Sequence, residues 1–262
     1  MWPRRLAILL VVVTSASAPL FSNAYAQTPA TGAPAAGLPS DADLDALLAA
    51  RNWNGLGTAL SSSGSTSEFA RKLNWLKTKI DNGGGFFLAL HFARGFWIDD
   101  SELKIDPAKD PRVTAGLYTL YAIELVAIDG AKCEDRSAPD NRVSQLLTAQ
   151  AATLAFLKQQ KPYLKAKIVD TAIALERQTA PLRKDDDLVC RNGMEEMRAS
   201  LERGTQQEMP KAPGDVGKRI AVAPPADWTP KLVSPAVYRP MQDKARADMR
   251  GNLLSLVGLP PK

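Results

Sequence analysis

The sequence predicts an all-α protein, an irregular multi-helix bundle in which one disulfide staples a helical hairpin and a Pro-rich extended segment precedes a C-terminal helix. Three observations predict it. Between Ser40 and Gly204 the apolar residues recur at intervals of three and four, not two. Serines, prolines and glycines stand where helices start and stop. The only two cysteines, Cys133 and Cys190, flank two successive helical patterns that reverse at Pro162.

At the N-terminus, Arg4 and Arg5 precede the apolar run LAILLVVV, and Ala24 and Ala26 form the small-x-small pattern of a signal-peptidase site. Residues 1–26 are expected to be a signal peptide of bacterial type, leaving Gln27 first and the protein periplasmic or secreted. The apolar run Leu6–Val13 is far short of the ~20 residues that span a bilayer, so no transmembrane span is expected in the mature chain. Residues 27–40, QTPATGAPAAGLPS, have neither charge nor apolar period and are expected to be a disordered tether. Removing residues 1–26 takes two arginines from 33 basic residues set against 28 acidic ones, which leaves +3. A bias this small excludes a basic nucleic-acid-binding face.

Residues 41–205 are expected to form the helical bundle. Ser40 N-caps DADLDALLAARN, with acids in the first turn. Ser65 and Glu68 make a capping box, after which Phe69, Leu73, Leu76 and Ile80 form a stripe that closes at Gly83–Gly85. Phe86–Ile98 is apolar almost all round and holds four of the seven phenylalanines, as a central helix should. Pro111 begins the next helix, also apolar on most faces, and Gly130 ends it. From Ser137 to Gln160 a single amphipathic helix carries Val143, Leu147, Gln150, Leu154 and Leu157. Pro162 turns the chain, and a return helix runs from Tyr163 to about Thr179 with Leu164, Ile168, Ala172 and Leu175. These two arms bring Cys133 and Cys190 to the same open end, where an exported context favours their disulfide. A short helix follows, with Met194, Met197 and Leu201 expected inward. Residues 206–235 hold six prolines, exclude helix and central strand, and should run over the bundle. Residues 236–258 form the last helix.

Few motifs carry chemistry. WNGLG, Trp53–Gly57, matches the opening of a tetratricopeptide repeat, but no second copy follows at the ~34-residue period. His91 is the only histidine, inside the aromatic helix. Glu124 lies within the apolar run LYTLYAIELVAI, where burial would raise its pKa, and Asp99 and Asp100 follow the His91 helix. His91 with Glu124, or with Asp99 and Asp100, is the candidate acid–base set. Lys158, Lys161, Lys165 and Lys167 cluster at the hairpin tip and are candidates for an anionic partner such as a phospholipid surface. Phe86, Phe87, Phe92, Phe96 and Trp97 are read as core. One histidine and two cysteines cannot easily supply four ligands, so no metal site and no cofactor is expected. G-x-S-x-G, H-E-x-x-H, a phosphate-binding glycine loop and C-x-x-C are absent, which argues against a P-loop ATPase, a zinc metalloprotease, a thiol oxidoreductase and a c-type cytochrome. The expected function is that of a non-catalytic exported protein that binds or scaffolds a cell-envelope partner. The alternative is a hydrolase or lyase using His91 with an acidic partner.

Overall fold

The structure, a computed structural model, describes residues 38–62, 64–98, 106, 109–184, 186–210 and 217–261. The expected signal peptide, the tether as far as residue 37, and the candidates Asp99 and Asp100 lie outside the described residues.

Among the described residues are ten α-helices, three 3-10 turns and one two-stranded hairpin. Helix α1 (Asp41–Ala49) begins at a full capping box between Ser40 and Asp43. It ends with Arg51 in the left-handed region, φ 53°, where Arg51 N–H donates to the Leu48 carbonyl and Asn52 N–H to that of Leu47. That pair of bonds is a Schellman end whose turn position glycine usually fills. Helix α2 (Trp53–Ser61) is N-capped by Asn52. Helix α3 (Thr66–Asp81) starts at Ser65, whose hydroxyl accepts from Glu68 N–H, but only half of the expected box forms because the Glu68 carboxylate turns to Arg71. Its buried face is Lys72, Trp75, Leu76 and Ile80, while Phe69 is 49% exposed. The expected stripe is therefore rotated toward Lys72. The Lys72 ammonium donates to the carbonyls of Ala59 and Ser62 and pairs with the Ser62 hydroxyl, which satisfies the orphan acceptors at the end of α2.

Helix α4 (Phe86–Gly95) buries every residue from Phe86 to Ala93. It packs on α3 and on α5 (Pro111–Asp129), the hub of the molecule. Helix α5 and the 3-10 turn after it, Pro111–Lys132, are long and apolar enough to cross a membrane, yet 78% of their 18-residue apolar stretch is buried inside the protein. Hydrophobicity on all sides is what a helix enclosed by others requires.

The long amphipathic helix expected from Ser137 to Gln160 is two helices, α6 (Ser137–Ala149) and α7 (Ala151–Gln159), broken at Gln150. The Gln150 side chain is buried, and its carbonyl accepts from the hydroxyls of Thr119 and Thr153. Helix α8 (Pro162–Thr179) returns, and each arm packs chiefly on α5 and not on the other. Cys133 and Cys190 are joined, with 5.3 Å between their Cα atoms. That lies inside the ~4.4–6.8 Å range of disulfides.

Helix α9 (Met194–Arg203) corrects a second expectation: Glu196 and Ser200 face inward, and Met194, Met197 and Leu201 face out. Residues 206–235 are not wholly extended coil either. Strands β1 (Thr205–Met209) and β2 (Arg219–Ala223) pair antiparallel, as a hairpin whose residues are mostly exposed. The chain then crosses the disulfide, where Leu232 bridges to Cys133, Glu134 N–H donates to Lys231 O and Val233 N–H to Lys132 O. Helix α10 (Pro235–Leu256) closes the fold on α5 and α8, burying Gln242, Met249, Leu253 and Leu254. Pro240 forfeits one helical bond near the solvent-exposed start of α10.

Candidate functional site

The expected acid–base residues fall in two different neighbourhoods. His91 is 8% exposed, lies 4.5 Å from the Phe87 ring, centroid to centroid, and backs onto Gly57 of α2. With Lys72 and Arg94 it lines a cleft of about 460 Å³ between α2, α3 and α4. Burial, reinforced by the Arg94 charge, pushes its pKa down to about 4. The imidazole is therefore neutral at neutral pH and only a weak base.

Glu124 points the other way, toward α8 and α10. It is 1% exposed, and its Oε2 has no hydrogen-bond partner among the described residues. Burial first, and then the charge of Glu176, push its pKa up to about 8 against the pull of Arg183, Arg177 and Arg246. Around it, Glu176 receives Arg183 at 2.5 Å and Arg246 at 3.1 Å, while Arg183 also reaches Asp129 at 3.0 Å. Burial raises the Asp129 pKa against the pull of Arg183 and Lys132. With Glu124 protonated, two carboxylates balance two guanidiniums. The Tyr121 hydroxyl, held to Thr179 at 2.8 Å, completes a buried network that ties α10 and the Arg183 turn to α5 and α8. Glu124 does not line the His91 cleft.

The basic tip loses one of its four lysines to structure. The Lys165 ammonium is buried and donates to Lys158 O at 3.0 Å and Val257 O at 3.1 Å, holding the ends of α7 and α10 together. Lys158, Lys161 and Lys167 stay exposed beside Tyr163. The aromatic set lies mainly in the core: Phe86, Phe87 and Phe92 are buried, while Phe96 and Trp97 are half-buried and pack on Phe92 and Phe156. No group of three or more histidine, cysteine and carboxylate side chains able to hold a metal occurs among the described residues.

Two sites were not legible in the sequence. The first is the outer face of α9. Met194, Met197 and Leu201 are 63%, 55% and 63% exposed, and Ile220 on the adjoining hairpin is 51% exposed. The cause is what the inner face must meet. Glu196 is 4% exposed, accepts from Asn192 N–H at 2.5 Å and sits under the charges of Arg191 and Arg142. These contacts hold the Glu196 side of α9 against the body, so the polar side of the helix turns inward. The start of α9 is fixed just as firmly, because Asp135 accepts from Glu195 N–H and Ser137 Oγ from Met194 N–H. A Cβ on Gly193 would come within 2.2 Å of the Asp135 carboxylate, so glycine is required there.

The second is a cleft of about 520 Å³ between α1, the Gly83–Gly85 turn and the segment after α8, floored by Leu48, Trp53, Phe87 and Leu88 and rimmed by Arg51, Lys79, Lys184, Asp45 and Asp186. A third cleft, about 340 Å³, lies beside Cys190 and Trp228. No family model, no curated protein and no solved structure matches this chain, so its residues alone carry the functional reading.

Proposed function

We propose that the protein is exported to the periplasm behind a signal peptide at residues 1–26 and acts there without catalysis, binding an apolar helix of another cell-envelope protein through the outer face of α9. The disulfide supports an oxidising compartment. The binding reading rests on one observation: α9 exposes Met194, Met197 and Leu201 while Glu196 and Ser200 face the body. A surface helix without a partner keeps its apolar stripe on the core, and apolar residues grouped on the outside mark an interaction face. Their spacing of three and then four is the narrow seam that one partner helix fills, and methionine adapts to the surface it meets. On the rim Arg198 pairs with Glu195 at 2.6 Å, and Glu202 and Arg203 add one charge of each sign. This balance suits a protein better than an anionic lipid surface, which draws on an excess of lysine and arginine. Against acid–base work stand the depressed pKa of His91 and the enclosure of Glu124.

The test is the double variant Met197→Glu, Leu201→Glu, compared with wild type by chemical crosslinking in intact envelopes. Both residues face solvent, so melting should stay within about 0.5 kcal/mol of wild type while the crosslinked complex disappears. A complex that persists unchanged overturns the assignment to α9.

A further inference from the structure

We propose that the cleft between α1, the Gly83–Gly85 turn and Asp186 binds a small amphipathic amine, its ammonium against Asp186 and its apolar body on Trp53 and Phe87. This site is independent of the α9 surface.

Of the three cations on the rim, Lys79 is paired with Asp45 at 2.7 Å and Arg51 with Asp187 at 3.1 Å, while Lys184 is exposed. Asp45 is tied further by the Trp75 indole at 2.9 Å. Asp186 is different. Its Oδ1 accepts from Leu188 N–H at 2.9 Å, and no lysine or arginine pairs with it among the described residues. Its Oδ2 is turned to Gly85 at the start of α4, where a Cβ would stand 2.3 Å away. The absence of a side chain at Gly85 is what lets this carboxylate reach the cleft wall. Burial pushes its pKa up to about 6, against the pull of the Leu188 N–H bond and the Arg51 charge.

The floor supplies the rest. Trp53 and Phe87 are tilted together at 5.3 Å between ring centroids, beside Leu48 and Leu88. The Trp53 indole nitrogen is buried without a hydrogen-bond partner among the described residues. Aromatic faces beside an unpaired carboxylate favour a cation with an apolar substituent. The volume, about 520 Å³, falls in the range of small-molecule sites. Arg51 adds to this picture. It occupies a left-handed position at a cost that glycine would avoid, and there its guanidinium makes its ion pair with Asp187 while its charge also acts on Asp186.

The probe is 2-phenylethylamine, with 2-phenylethanol as its neutral counterpart and 3-phenylpropionate as its anionic one. Binding is followed on the exported protein by the indole NMR signal of Trp53, identified through Trp53→Phe. The amine should shift that signal saturably, with affinity at least roughly tenfold above the alcohol, the worth of one charge-assisted contact. Asp186→Asn, which keeps the acceptor for Leu188 N–H, should reduce the amine to the level of the alcohol. Equal affinities for amine and alcohol, tighter binding of phenylpropionate, no shift at saturating amine, or an Asp186→Asn protein that binds as well as wild type would each overturn the proposal. The comparison of the three probes on wild-type protein decides the matter even if the variant does not fold.

Discussion

Glu124 makes the pH dependence of stability a residue-scale test. Its folded pKa of about 8 lies above the ordinary carboxylate value of 4.5, so the folded state holds a proton that the unfolded state has released between those limits. Stability from this group is full below about pH 4.5 and declines as pH rises, levelling off above about 8. Glu124→Gln should remove that decline and raise stability at pH 9 by on the order of a few kcal/mol, measured by urea unfolding across pH. An unchanged profile would place the group in water. His91 has the opposite sign: its folded pKa of about 4 is below the ordinary 6.5, so its contribution is present above 6.5 and lost as pH falls toward 4. His91→Gln should flatten the acid limb in that window while leaving partner binding intact; binding lost at unchanged melting temperature would revive the acid–base alternative. Lys72→Met should cost about 1–3 kcal/mol, because the Ser62 carbonyl loses its ammonium donor and the Ala59 carbonyl keeps only the Ser62 hydroxyl. The burial of Glu124 was legible, since it sits in an apolar run on every side. Its partners were not, because Glu176, Arg183 and Arg246 approach only once α8 and α10 have docked.

At the scale of elements, the disulfide was the most legible feature, because Pro162 forces the reversal and a chain with two cysteines has one intramolecular pairing. Replacing both cysteines with alanine should destabilise by about 2–4 kcal/mol, read from chemical unfolding of oxidised protein against the variant. Equal stability would show that the packing of both arms on α5 makes the staple redundant. The break at Gln150 was hidden because heptad spacing continues through it; what breaks the helix is a side chain drawn inward by Thr119 and Thr153. Helix α9 was misread for a related reason. Its sequence carries an apolar stripe at 194, 197 and 201 and a polar one at 196 and 200, and local periodicity cannot say which faces in. Arg191, Arg142 and Asn192 decide, from outside the helix. Glu196→Ala should therefore destabilise by about 1–3 kcal/mol, whereas Met197→Ala should be nearly silent in thermal melts. The reverse pattern would mean that α9 packs with its methionines inward.

For the whole molecule, the helical class and most helix starts followed from serine and proline signals and from stripes of three and four; the Asn52-capped α2 was not anticipated. The β1–β2 hairpin did not, because its strands are mostly exposed and surrounded by prolines, with no buried face to impose an alternating pattern. The proposed binding surface escaped notice for the same physical reason: an outward apolar stripe and an inward one read identically along the chain. The central claim is that this outward stripe holds a helix of another envelope protein, and photo-crosslinking tests it most directly. A photoreactive residue is placed at position 197, at position 163 on the exposed basic tip as a comparison, and irradiated in living cells. A discrete protein adduct is expected from 197, mapped by mass spectrometry to an apolar helix face of the partner, and none from 163. A protein adduct from 163 but not from 197, or adducts from 197 to lipid alone, would contradict it.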